Sequence, residues 1–169
     1  MTDLLPGISL RHVDTARVRT GVLVDDRTEG EAVVLVHGNV SSSVFWQETM
    51  LGLPEGFRAI APDLRGFGET EPAPVDATRG LGDFADDVLA LLDALSIERA
   101  HLVGWSMGGA IVLQLLAQSG SADLVSKVVL DAPVVDWNDV LTHHAREHKV
   151  PGPVAVSYTH LTLPTSDLV

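Results

Sequence analysis

Four near-continuous apolar runs stand out in the pattern of hydrophobic and polar positions along the chain. Runs of this kind predict strands that are covered on both faces of a sheet. Ahead of them, ISLRHVD and ARVRTGVLVDD alternate partly between apolar and polar residues, which predicts an antiparallel pair of strands. The four runs are AVVLVHG (32–38), FRAIAPDL (57–64), AHLVGWS (100–106) and SKVVLDAP (126–133).

Helical patterns separate these runs. In GDFADDVLALLDALSI (82–97) the apolar residues recur at i, i+4, i+7, i+8 and i+11, which places them on one stripe of a helix. The segment GGAIVLQLLAQSG (108–120) is apolar nearly all round, which predicts a buried helix. Because strands and helices alternate, the pattern predicts an α/β fold with a mostly parallel, doubly wound sheet and right-handed crossovers.

Composition narrows the classes of function. The 169 residues are 46% hydrophobic and 20% charged, which is typical of one globular domain. A net charge of −12 would repel nucleic acids and anionic membranes, and the lack of cysteine excludes thiolate chemistry. The chain shows neither a signal-peptide pattern nor an apolar stretch approaching the ~20 residues that cross a bilayer. We therefore predict a cytoplasmic enzyme or binding protein.

The strongest chemical motif is G-x-S-x-G in HLVGWSMGGA. Its serine, Ser106, lies between a predicted strand and a predicted buried helix, where a tight turn projects a nucleophilic hydroxyl from the sheet. The positive end of the following helix favours an anionic intermediate nearby. A packing turn made of small residues is the alternative. A phosphate-binding loop fits less well, because GWSMGG matches neither G-x-G-x-x-G nor G-x-x-x-x-G-K-[ST].

A second motif, HGNVSSS, follows the first apolar run. Acyl transfer needs backbone donors aimed at the oxygen that becomes negative in the transition state. We predict that the backbone N–H groups of Asn39 and Met107 are these donors. His37 stands at a strand end beside Gly38 and is interpreted as a residue that shapes the turn, not as a general base.

The third motif, DLRGFGET, is interpreted as structural. Gly66 and Gly68 allow a tight backbone turn. Asp63 and Arg65 are predicted to pair and to brace that turn.

Together the three ordered motifs resemble the α/β-hydrolase superfamily, over residues 8 to 133. The HGN-x-x-SS pattern is also similar to that of haloalkane dehalogenases and epoxide hydrolases. Those enzymes use an aspartate as nucleophile, whereas position 106 is serine. The resemblance implies hydrolysis of small, fairly apolar esters or related acyl compounds through a serine, without a metal or organic cofactor. It also implies an acid and then a histidine after the serine.

Too few residues follow Pro133 to complete that pattern. Only 36 residues remain, whereas one crossover unit takes ~30 or more and the resemblance implies a helical cap and two such units. We therefore predict a C-terminally incomplete fold: a hydrolase core at 1–133, the start of a cap at 134–155 and a tail at 156–169. The string HAREH (144–148) lacks the glutamate of H-E-x-x-H and predicts no metal site.

Ser106, Asp131 and His160 have the chain order of a triad, and Asp131 is kept as an alternative acid. His160, however, lies in VSYTHLTLPT (156–165), which is similar to the translation of a transposase-end adapter used in sequencing libraries. We interpret the tail as non-native and reject His160 as the base, because a base must be positioned by a folded strand and loop. The chain as given is therefore expected to be inactive.

Two other functions remain open. One is a catalytically silent protein on the same fold that binds a small molecule. The other is a cofactor-free relative that performs perhydrolysis or hydrolyses a carbon–carbon bond with the same residues. The sequence does not indicate an oligomeric state.

Overall fold

The computed structural model describes residues 3–118 and 122–134. Within them, one sheet has the strand order β1-β2-β4-β3-β5-β6. The strand β2 pairs antiparallel with β1 and β4, whereas β3 pairs in parallel with β4 and β5, and β5 with β6. The strands are β1 (Ile8–Asp14), β2 (Arg19–Asp25), β3 (Gly30–Val36), β4 (Gly56–Pro62), β5 (Ala100–Trp105) and β6 (Val125–Asp131). The predicted mostly parallel α/β sheet is confirmed.

Helices cover both faces of this sheet. The helix α1 (Gln47–Leu51) follows a 3₁₀ turn at Ser43–Trp46, and α2 (Gly82–Ala94) and α3 (Met107–Leu116) lie on the opposite face. The predicted stripe of α2 is buried along its centre and half-buried at Phe84 and Leu95. The helix ends earlier than its apolar pattern because the chain turns at Ser96, which has a φ of 53°.

The helix α3 forms the centre of the larger core. Every residue from Met107 to Val112 is buried, as is Leu115, so the prediction of a buried helix is confirmed. The helix packs against β5 and β3, and its buried side chains belong to the larger core cluster. Because β3 and β5 are neighbouring parallel strands, the segments that follow them, HGNVSSS and SMGGA, meet at one edge of the sheet.

One predicted contact in DLRGFGET is wrong. Arg65 does not pair with Asp63 but with Asp87 of α2, at 2.6 Å between Nε and Oδ2. Asp63 instead accepts hydrogen bonds from the backbone N–H groups of Ser43 (2.6 Å) and Glu69 (2.8 Å). The two side chains therefore brace different elements: Arg65 holds the turn to α2, and Asp63 holds it to the loop after β3.

The predictions for the cap beyond Val134 and for the tail, including His160 and HAREH, lie outside the described residues. Among the residues that are described, no helix is long and apolar enough to cross a membrane. The same residues contain no group of three or more histidine, aspartate or glutamate side chains that could hold a metal ion.

Candidate active site

Ser106 occupies the corner between β5 and α3. Its φ of 54° and ψ of −119° form a strained combination that residues with a side chain rarely adopt. Hydrogen bonds hold this conformation: its N–H donates to the carbonyl of Asp131 (2.9 Å), and its own carbonyl accepts from Gly109 (3.0 Å) and Val134 (3.2 Å). A half-buried serine held in this way at a strand-to-helix corner has the geometry of a nucleophile elbow.

Glycines let three backbone segments approach one another at this corner. A Cβ on Gly104 would lie 2.6 Å from the carbonyl oxygen of Gly108. A Cβ on Gly108 would overlap the carbonyl of Val36 and lie 2.6 Å from that of His37. The first turn of α3 therefore lies directly against the end of β3, which brings Met107 close to the loop that contains Asn39.

Backbone donors are available on both sides of Ser106. A Cβ on Gly38 would lie 3.1 Å from the Cβ of Ser106, so the loop before Asn39 runs alongside the serine. In the part of the chain that the structure describes, the N–H groups of Asn39 and Met107 donate to no protein acceptor. The side chain of Asn39 is used locally, since its Oδ1 accepts from the N–H of Val40 (3.0 Å). The predicted oxyanion-binding role of both N–H groups stays a prediction.

His37 is held by both of its ring nitrogens. Its Nε2 accepts from the N–H of Leu64 (3.0 Å), so Nδ1 carries the proton and donates to the carbonyl of Gly38 (2.7 Å). The ring is fully buried and meets Phe67 edge-on at 5.4 Å. Burial lowers the pKa of His37 below its ordinary value of 6.5. The geometry agrees with a residue that shapes the turn and leaves no nitrogen free to act as a base.

The lowered pKa of His37 predicts a loss of stability in acid. The unfolded chain binds a proton near pH 6.5 and the folded chain only at lower pH, so the free energy of unfolding falls as the pH drops below 6.5. Urea unfolding between about pH 7.5 and 5.5 measures this slope. We expect a shallower slope in His37→Gln, and His12→Gln, at an exposed position on β1, serves as the control variant. Equal slopes in both variants would contradict the prediction.

An apolar surface flanks the serine, and the sequence motifs do not reveal it. Phe45 stacks on Trp105, the neighbour of Ser106, with ring centroids 4.3 Å apart and planes 11° from parallel. Phe45 is 50% exposed and Val40, next to Asn39, is 91% exposed. In the sequence, Val40 lies within HGNVSSS, Phe45 lies just after it, and Trp105 lies within G-x-S-x-G. This proximity to the motifs is the only sequence signal for the surface.

Asp131 lies beside Ser106 through its main chain. Asp131 is the last residue of β6 and lies opposite Trp105 in the register of the sheet. It is exposed to solvent. Of the described histidines, His12 is on β1 and His101 pairs with Glu31 (2.8 Å) where β3 and β5 begin, far along the sheet from Ser106. The described residues thus bring together the serine, two backbone donors and a possible acid, and no histidine that could serve as the base.

Comparison with known proteins agrees with this geometry. Residues 31–150 match the family model described as alpha/beta hydrolase fold. One similar protein is RutD of Variovorax paradoxus, which is assigned as a carbamate hydrolase. It is 42% identical to this chain over 119 residues, which cover 70% of this chain and 42% of that protein. The 2-hydroxy-6-oxo-6-phenylhexa-2,4-dienoate hydrolase of Burkholderia cepacia is 35% identical over 65% of this chain and 39% of its own length.

Solved structures give the same result. The epoxide hydrolase VrEH1 from Vigna radiata superposes with a TM-score of 0.67 at 26% identity, over 76% of this chain and 39% of that one. The chain belongs to the α/β-hydrolase family. It spans 42% and 39% of the lengths of the two curated relatives described above.

Proposed function

We propose that Ser106 is the nucleophile of a hydrolase that acts on small, fairly apolar esters or related acyl compounds. The observation that carries the proposal is the strained corner at Ser106, held by hydrogen bonds, with unengaged N–H groups on the two segments that flank it. Strain at one backbone position persists only where the surrounding structure fixes it, and it concentrates at functional sites. The neighbouring Phe45–Trp105 stack supports an apolar substrate.

In the proposed mechanism the hydroxyl of Ser106 attacks the carbonyl carbon of the substrate. The N–H groups of Asn39 and Met107 donate to the oxygen that becomes negative, and the start of α3 adds a favourable dipole. A histidine takes the proton from the serine and passes it to the leaving group, after which water releases the acyl group. That histidine must come from outside the described residues, and Asp131, whose main chain bonds Ser106, is the candidate acid. The mechanism requires no cofactor.

A second candidate is the hydrolysis of a carbon–carbon bond by the same serine. The name of the dienoate hydrolase from Burkholderia cepacia favours it, because a 6-oxo-6-phenyl substrate is a ketone and water can cleave a ketone only at a carbon–carbon bond. A panel that pairs p-nitrophenyl esters with 6-oxo-dienoates separates the two candidates.

Covalent labelling tests the nucleophile itself. A fluorophosphonate reacts fast only with an activated serine. We expect its mass adduct on the peptide that contains Ser106 in a protein that carries this core together with a catalytic histidine, and none in its Ser106→Ala variant. The serines of the HGNVSSS loop provide an internal control, because an activated serine reacts and its unactivated neighbours do not. Absence of the adduct at Ser106 would instead favour the non-catalytic binding protein.

The 169-residue chain, treated in parallel, is expected to react no faster than its Ser106→Ala variant. Labelling of this chain at Ser106 that disappears in His160→Ala would contradict the interpretation of the tail as non-native.

A further inference from the structure

A cavity of about 240 Å³ lies on the α2 face of the sheet, between β1, β2, β4 and the end of α2. Apolar side chains of the strands and of Leu95 form part of its wall. The cavity lies near the beginning of β4, whereas Ser106 follows the end of β5, so the two sites are at opposite ends of the sheet. The apolar strand residues are Val13, Val22, Val24 and Ile60.

Arg58 of β4 is the unusual residue of this cavity. Its Nε is buried and has no hydrogen-bond partner among the described residues. Arg58 as a whole is half-buried, and its guanidinium group stays charged because it cannot lose its proton in a protein. A buried donor without a partner is rare in folded proteins, and it marks Arg58 as an unusual side chain at the cavity.

The other charged groups at the cavity do not satisfy Arg58. Arg11 pairs with Asp26 at 2.6 Å, and Asp25 pairs with Arg27 at 2.7 Å. Glu29 is exposed to solvent and forms no ion pair within the described part of the chain. Arg58 is therefore the one lining cation that lacks a carboxylate partner there.

We propose that this cavity binds a small aliphatic carboxylate, with the carboxylate on Arg58 and the tail against the apolar wall. A guanidinium group matches a carboxylate with two parallel hydrogen bonds. Drug-sized ligands occupy pockets of about 300–1,000 Å³. A cavity of about 240 Å³ therefore suits a short chain. The proposal does not depend on the function of Ser106.

The net charge of −12 does not prevent this binding. Exposed charges are screened beyond about 8 Å at physiological ionic strength. At the cavity, Arg11 pairs with Asp26 and Asp25 pairs with Arg27, so Arg58 and Glu29 are the lining charges without an ion-pair partner among the described residues.

Isothermal titration of the chain with hexanoate and with hexan-1-ol tests the proposal. The alcohol has the same tail without the charge. We expect hexanoate to bind at least about tenfold more tightly than the alcohol, and Arg58→Met to remove this preference. Glu29→Gln is the matched control on the same cavity and is expected to bind hexanoate as tightly as the unchanged chain or more so. Circular dichroism confirms the fold of each variant.

Three results would overturn the proposal. The first is that the folded chain does not bind hexanoate. The second is equal binding of acid and alcohol, which would make the cavity merely apolar. The third is a folded Arg58→Met variant that keeps the full affinity, which would place the carboxylate elsewhere.

Discussion

Asp87→Ala is expected to lower the free energy of unfolding by about 3–5 kcal/mol, the usual cost of removing one partner from a buried ion pair. Asp87 is bonded through both of its oxygens to Arg65, at 2.6 and 2.7 Å, and also accepts from Arg17 at 2.8 Å. The side chains of Arg65 and Asp87 are only 5% and 8% exposed. The variant would leave the charge of Arg65 buried without a carboxylate in close contact, since Asp83 is 4.0 Å away.

Asp26→Ala is the matched control for this prediction. Asp26 also bonds an arginine, Arg11, at 2.6 Å, but the two side chains are 42% and 63% exposed. Exposed pairs contribute little because water screens them and holding the side chains costs entropy. Urea unfolding followed by circular dichroism should therefore show a large shift of the midpoint for Asp87→Ala and almost none for Asp26→Ala. Equal shifts would mean that the buried pair contributes no more than the exposed one.

The Asp87 network also supports the loop that carries Asn39. Arg65 donates to the carbonyl of Pro74 as well as to Asp87, so it holds the segment after β4 against α2. In the same segment Asp63 accepts from the N–H of Ser43. A chain of direct contacts therefore leads from α2 to the loop beside Ser106. Loss of Asp87 should loosen that loop as well as the fold.

The sequence predicts the elements that have a long apolar pattern and misses those that are too short to show one. The four near-continuous runs, the stripe of α2 and the all-round apolar segment of α3 each form such a pattern, and their prediction is confirmed. The helix α1 has only five residues, Gln47–Leu51, and is too short to display one. The corner at Ser106 is predictable because G-x-S-x-G is read together with the strand before it and the helix after it.

The side-chain partners within the motifs could not be predicted in the same way. Asp63 and Arg65 are two positions apart, which made a pair plausible, but the partner of Arg65 lies 22 positions further along the chain on α2. The stack of Phe45 on Trp105 joins a residue just after one motif to a residue of another. Such contacts depend on how the elements pack against each other, and one sequence does not contain that information. The wall around Arg58, assembled from three strands and a helix end, is of the same kind.

Gly108→Ala is expected to damage both the fold and the candidate active site. The added methyl group would overlap the carbonyl of Val36, which belongs to the backbone of a central strand and cannot rotate away. Overpacking of a close contact costs about 1–3 kcal/mol and sometimes more. The strain can be relieved only if α3 moves away from β3, and this movement would carry Met107 away from Asn39. A shift of about 1 Å in a catalytic group can cost about 100-fold in rate, so we expect fluorophosphonate labelling of Ser106 to slow by about that factor in a protein that carries this core together with a catalytic histidine.

Gly82→Ala separates this effect from the general effect of replacing a helical glycine. Gly82 also lies in the first turn of a helix, α2, but its added Cβ would meet only the Arg79 side chain, at 3.3 Å from its terminal nitrogen. That side chain is 44% exposed, so its end can give way where a strand carbonyl cannot. Replacing a helical glycine by alanine changes stability by about 1 kcal/mol or less. Labelling of Ser106 in Gly82→Ala should therefore keep the unmodified rate. If Gly108→Ala also labelled at that rate, the close approach of α3 to β3 would not position the Met107 N–H, and its assignment as an oxyanion donor would fail.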